Sequence, residues 1–196
     1  MTRTLVFDLG GVLIDINWHC TYQCLKSYAK DKEKTPEELV PQIEQYERGE
    51  ISSFDFYDAF KRIFDSKLSL KDFERCWNNM IFNFPEERFL MLQELKNKYN
   101  LILLSNINDM HYKYVMKKFG SYFKIFDKIY FSHLIGMRKP EKRIFEKLVS
   151  ENSLIPGEII YFDDTEKHLK TAEALGINTV LVEKSIIDIT AQLGLN

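Results

Sequence analysis

The sequence predicts an α/β protein: a doubly wound, Rossmann-like parallel sheet with an all-helical block inserted after the first strand. Three observations carry this. Five short runs, residues 4–7, 101–104, 128–131, 159–162 and 179–182, are apolar on successive rather than alternate residues, as strands covered on both faces must be. Amphipathic stretches of helical period separate the later runs, and strand–helix alternation implies a parallel sheet. Between Asp15 and Pro85 the alternation lapses, and only helix signals remain.

Taken in order, the first strand ends at Asp8, and Gly10-Gly11 turns the chain behind it. The block that follows opens helices with hydroxyl caps. Thr35-Pro36-Glu37-Glu38 reads as a capping box with proline in the first turn, and Ser52 and Ser69 each precede an acid, Asp55 and Asp72, by three residues. Phe56, Phe60, Ile63 and Phe64 give one apolar helix face. Pro85 opens a helix carrying Phe89, Leu92 and Leu95, Pro140 one carrying Ile144, Phe145 and Leu148, and Thr165 caps one that ends at Gly176. The expected division is a core of residues 1–15 and 86–196, with residues 16–85 as a helical cap over the sheet's C-terminal edge or, equally, a decorative insertion.

Charge and length exclude several classes of function. With 27 basic against 29 acidic side chains the net charge is −2, so no bulk electrostatic attraction to nucleic acid is expected. No apolar run approaches the ~20 residues of a membrane span, and the N-terminal run is cut by Asp8, so a soluble cytoplasmic protein is expected. Cys20, Cys24 and Cys76, odd in number and without C-x-x-C spacing, read as buried reduced thiols. Monomer and homodimer remain equally open.

The residues able to do chemistry fall at the C-terminal ends of the strands. Asp8 follows the first, Ser105 and Asn106 the second, and Asp163 and Asp164 the fourth; in an open parallel sheet that edge is where ligands bind. Carboxylates gathered there repel unless a cation joins them, and an all-oxygen set suits Mg²⁺. Lys139, in Gly136-Met137-Arg138-Lys139-Pro140, is placed to neutralise a phosphoryl group or restrain the acids. Alone it reads as a surface lysine; with the acids and hydroxyl it describes phosphoryl transfer, in which positioning and charge neutralisation do most of the work.

At these residues the sequence resembles the haloacid dehalogenase superfamily, in particular its capped sugar-phosphate phosphatases. Phe7-Asp8-Leu9-Gly10-Gly11-Val12-Leu13, Leu104-Ser105-Asn106, Lys139 and Tyr161-Phe162-Asp163-Asp164-Thr165 are similar to its four motifs, in order. Tyr46-Glu47-Arg48-Gly49-Glu50-Ile51-Ser52 is similar to phosphatases of α-glucose 1-phosphate. The resemblance implies Asp8 as nucleophile and Asp8, the Gly10 carbonyl, Asp163 and Asp164 as Mg²⁺ ligands. It implies Ser105, Asn106 and Lys139 as the phosphoryl cradle, and a small phosphate ester as substrate. Asn17, Trp18 and Arg48 are expected to face the substrate from the cap. One departure stands out: most of the superfamily's phosphatases carry a second Asp two residues after the nucleophile, and here, as in the sugar 1-phosphate phosphatases this sequence resembles, a glycine, Gly10, holds that place. Its absence favours esters with good leaving groups, sugar 1-phosphates among them, because general acid help is worth about 10²–10⁴-fold. Two rival readings are a metal-independent 2-haloacid dehalogenase and a catalytically degenerate binding protein.

Overall fold

The computed structural model describes residues 3–30, 33 and 35–195. Five strands, β1 (Thr4–Phe7), β2 (Asn100–Ser105), β3 (Lys128–Phe131), β4 (Ile159–Asp163) and β5 (Asn178–Leu181), form one parallel sheet in the order β3-β2-β1-β4-β5. β1 is central, and β2 and β4 lie on either side of it, which brings Asp8, Ser105 and Asp163 to one end of three adjacent strands. The chain turns from one side of β1 to the other, the arrangement that opens a crevice at the strand ends. Leu5, Val6 and Phe7 are completely or almost completely buried, as the two-sided apolar reading requires; β5, at the edge, is only half-covered.

Helices cover both faces. One core packs Leu5, Phe7, Leu101 and Leu103 against α5 (Glu86–Lys96) through Leu92 and Leu95, with α6 (Asp109–Phe119) adding Val115 and Phe119 and α10 (Ile186–Gln192) adding Ile186. The other packs Val6, Ile102, Leu104 and Tyr161 against α8 (Lys142–Glu151) and α9 (Glu166–Glu173). The short helix α7 (Ser132–Ile135) follows β3 and ends at Gly136 in the left-handed conformation.

Between β1 and α5 come α1 (Trp18–Tyr28), α2 (Val40–Glu47), α3 (Ser53–Phe64) and α4 (Leu70–Asn78), and they form a second core to which α6 adds Met110. Phe56, Phe60, Phe73 and Trp77 interlock there, with ring centroids of Phe56 and Trp77 4.7 Å apart. The segment leaves and rejoins the sheet through one short antiparallel contact. Ile16 bridges Ile81, Asp15 N–H donates to the Asn83 carbonyl at 2.8 Å, and Phe82 N–H donates to the Asp15 carbonyl at 2.9 Å.

Several local expectations change. The Ser52 capping box is complete, and Ser69 accepts from Asp72 N–H at 3.1 Å. Thr35 makes no side-chain cap bond, and a 3₁₀ turn (Pro36–Leu39) starts there in place of an α-helix. Thr165 precedes α9 without capping it, because its hydroxyl is turned back to Asp164 at 3.2 Å. Pro85 stands at the N-cap of α5, and Pro140 lies two residues before α8. The cysteine reading is corrected: Cys24 and Cys76 form a disulfide joining α1 to α4, and Cys20 alone is free. A separation of 52 residues conceals the pairing in the sequence, and helix packing brings the two Cα atoms to 5.3 Å. Among the described residues no helix is long and apolar enough to cross a membrane.

Candidate active site

The site is organised around a buried ammonium. Lys139 is fully withdrawn from solvent, and its Nζ lies 2.7 Å from Asp8 Oδ1 and 2.7 Å from Asp163 Oδ2. The Asn106 side chain fixes the loop that delivers it, accepting from Lys139 N–H at 2.8 Å and donating to the Lys139 carbonyl at 2.9 Å. A buried lysine keeps its charge only if paired, and here the pairing wins: burial pulls its ionisation down, but Asp163 and Asp8 hold it above the ordinary lysine value.

Asp163 is saturated. Its Oδ2 takes Lys139 and the Tyr161 hydroxyl, and its Oδ1 takes Thr165 N–H at 2.8 Å and His168 Nδ1 at 3.0 Å. Burial works against its charge, yet Lys139 and His168 keep the carboxyl well below the usual carboxylate range. Asp8 differs. Burial outweighs the pull of Lys139, and with the Asp163 charge nearby its carboxyl is pushed up to about 7. Partial burial and the Asp163 charge raise Asp164 as well.

One oxygen each from Asp8, Asp163 and Asp164 lie within 4.8 Å of one another, an all-oxygen set that fits a hard divalent cation. Gly11 shows how tightly Asp164 is seated: at φ +76° a Cβ on Gly11 would overlap Asp164 Oδ2. Because the lone pairs of Asp163 are already occupied, direct ligation by it requires one of those bonds to be given up.

Asp8 and Asp164 floor a cavity of about 520 Å³, with Asp163 buried behind them. Ser105, Asn106, Asp164 and His168 line it from the sheet side, and Trp18, Val40, Ile43, Glu44 and Glu47 from α1 and α2. Of the residues expected to face a substrate, Trp18 does, with one edge on Trp77. Asn17 instead caps α1 through His19 N–H. Arg48 is turned away to Glu141 at 2.5 Å and Glu44 at 3.4 Å. Its place in the wall is taken by Arg138, whose Nε donates to Glu47 at 2.8 Å and Nη1 to Glu44 at 3.0 Å. Sequence reasoning passed over Arg138, Tyr161 and His168. The signals were there: Tyr161 precedes Asp163 by one pleat repeat, and His168 stands one turn into the helix after it.

A D-ribitol-5-phosphate phosphatase of Bacteroides thetaiotaomicron is 24% identical over 187 residues, 91% of each chain. A haloacid dehalogenase family enzyme of the same organism, solved by crystallography, superposes with a TM-score of 0.88 at 30% identity over 98% of both chains. Its wild-type complex with magnesium and inorganic phosphate gives 0.85 at 29% identity, over 96% of this chain and 99% of that one. An L-2-haloacid dehalogenase, at 20% identity and TM-score 0.65 over 92% of this chain and 84% of its own, shares the fold alone. Residues 5–182 match the haloacid dehalogenase-like hydrolases, and the chain belongs to that family.

Proposed function

We propose that the protein is a Mg²⁺-dependent phosphatase that hydrolyses a small phosphate monoester through a phosphorylated Asp8. The observation that carries this is the Lys139 ammonium held 2.7 Å from both Asp8 and Asp163, with Asp164 in the same oxygen cluster. A dehalogenase has no use for the further acid. Phosphatase and magnesium–phosphate relatives support the same reading.

Each residue then has a task. Asp8, as the carboxylate, attacks phosphorus, and water later hydrolyses the acyl phosphate. Lys139 holds Asp8 in place and offsets charge gathering on the phosphoryl oxygens. The Ser105 hydroxyl and the Asn106 backbone amide cradle those oxygens, since the Asn106 side chain is spent on the Lys139 loop. Asp8, Asp164, the Gly10 carbonyl and, after rearrangement, Asp163 would hold Mg²⁺. The bound ion would supply positive charge that keeps Asp8 ionised and polarises the phosphate. Residues 16–85 act as the cap over a core of residues 1–15 and 86–196, because α1 and α2 form the cavity's far wall.

For the ester itself, a sugar 1-phosphate is the finer proposal. Gly10 brings no carboxyl to the leaving group, and a Cβ there would meet Ile16 Cδ1 at 3.2 Å, so an apolar side chain borders that space. An anomeric alcohol departs more readily than an ordinary one, so it makes the least demand on a proton donor that must reach the ester from outside the nucleophile's own loop. Turnover of p-nitrophenyl phosphate and a panel of sugar phosphates, with Mg²⁺ and with EDTA, tests the reading. Activity should need Mg²⁺ and vanish in Asp8→Asn. Undiminished turnover by Asp8→Asn, or chloride release from chloroacetate in EDTA, overturns it.

A further inference from the structure

Resting on that phosphatase reading, we propose that Glu47 carries the proton. It donates to the ester oxygen as that oxygen leaves phosphorus, then accepts a proton from the water that attacks the acyl phosphate.

The space directly beside the nucleophile is closed to a proton carrier. Gly10 has no side chain, and Ile16 lies where one would project, so the carrier must reach the site from elsewhere. Few ionisable groups share the cavity with Asp8. Asp164 and His168 belong to the acid cluster, His168 being bonded to Asp163 at 3.0 Å. Arg138 does not release a proton in a protein. His111 is tied at both ring nitrogens, to Asn108 at 3.1 Å and the Trp77 carbonyl at 3.0 Å, and burial takes it down to about 4 against that carbonyl. Two carboxyls remain, both on α2. Glu44 is 39% exposed and shared between Arg48 and Arg138. Glu47 is 14% exposed, and its bond to Arg138 Nε uses Oε2 and leaves Oε1 out.

Position supports the choice. Arg138 and Lys139 are consecutive: Lys139 grips Asp8, and Arg138 grips Glu47. One loop thus sets the nucleophile and Glu47 on the same cavity. The charged groups facing Glu47 are Arg138, Lys139 and Glu44; burial raises its carboxyl above the ordinary value despite the two cations, the direction a proton donor needs.

The steps balance. An Asp8 oxygen bonds to phosphorus as the ester P–O bond breaks, its electron pair passes to the leaving oxygen, and that oxygen takes the Glu47 proton. Glu47 then removes a proton from water as the water oxygen bonds to phosphorus. The Asp8–phosphorus bond breaks, the pair returns to the carboxylate, and phosphate leaves.

The test is Glu47→Gln, followed by first-turnover alcohol release from p-nitrophenyl phosphate, glucose 1-phosphate and glycerol phosphate with Mg²⁺. Nitrophenolate needs no proton, so the loss should grow with leaving-group basicity, reaching about 10²-fold or more on glycerol phosphate. p-Nitrophenyl phosphate should give a burst followed by slow turnover, because the second step has lost its base. The alkaline limb of the wild-type profile on glycerol phosphate should disappear. Equal losses on all three esters with an unchanged pH profile overturn the proposal and leave the phosphatase reading intact. A wild type inactive on all three removes that reading instead. If the amide variant does not fold, Glu47→Asp serves: its shorter arm should cost more on glycerol phosphate than on p-nitrophenyl phosphate, and equal costs overturn the proposal.

Discussion

Lys139 and Asp163 meet at 2.7 Å with neither side chain exposed to solvent. Such a pair matters chiefly through the damage done when half of it is removed. Lys139→Met would leave Asp8 and Asp163 facing each other, buried and without a cation. The expected cost is about 3–5 kcal/mol of unfolding free energy, together with loss of turnover. Urea unfolding at pH 7 measures it, and a change below about 1 kcal/mol would show that the charge is dispensable to the fold.

His111 makes stability depend on pH away from the acid cluster. Burial holds it neutral down to about 4, against the Trp77 carbonyl that favours the cation. Its folded value lies below the ordinary histidine value of 6.5, so between 6.5 and 4 the unfolded chain binds more protons. The contribution is complete above 6.5 and is lost as pH falls towards 4, by at most about 1.4 kcal/mol per pH unit. Unfolding free energies of wild type and His111→Gln at pH 7 and pH 5 should converge on acidification. Parallel curves would place the titration elsewhere.

Gly11→Ala combines two faults. Its φ of +76° is unfavourable for alanine, and the new methyl would overlap Asp164 Oδ2. The backbone fault should cost about 1–3 kcal/mol. Displacing Asp164 should weaken Mg²⁺ binding by about 10–100-fold, the range seen when groups that orient ligands are lost. Calorimetric Mg²⁺ titration gives the number, and unaltered affinity would remove Asp164 from the ion's surroundings.

The Cys24–Cys76 bridge ties α1 to α4 within the helical segment's own core. Closing a loop of that length typically stabilises by about 2–4 kcal/mol. Cys24→Ser with Cys76→Ser should lower the melting temperature. Thiol labelling of the denatured, unreduced protein should find Cys20 alone; three reactive thiols would refute the pairing.

The five strands and the placing of Asp8, Ser105, Asn106, Asp163 and Asp164 were legible because each depends on local pattern, an apolar run and then polar residues at its end; Lys139, in the loop after α7, was legible only beside them and through the motif it resembles. Four things were not. The Cys24–Cys76 pairing and the Arg138–Glu47 bond join residues 52 and 91 positions apart, and no periodicity encodes such contacts. Arg48 and Arg138 look alike in sequence, and only the packing of α2 against the loop after α7 shows that Glu141 takes the first and Glu47 the second. The two-faced reading of residues 179–182 failed by degree, because an edge strand such as β5 has one neighbour to cover it.

Ile16 and Ile81 lie side by side although 65 residues separate them, so the helical segment enters and leaves through a single doorway. A different helical block grafted between those two positions would leave the five-stranded sheet's pairing intact, because no strand of that sheet comes from the segment. Substrate preference can therefore drift by exchanging what lies beyond the doorway, while the nucleophile, its lysine and the acids stay behind it; the proton carrier, Glu47, is the one part that a newcomer would have to supply again.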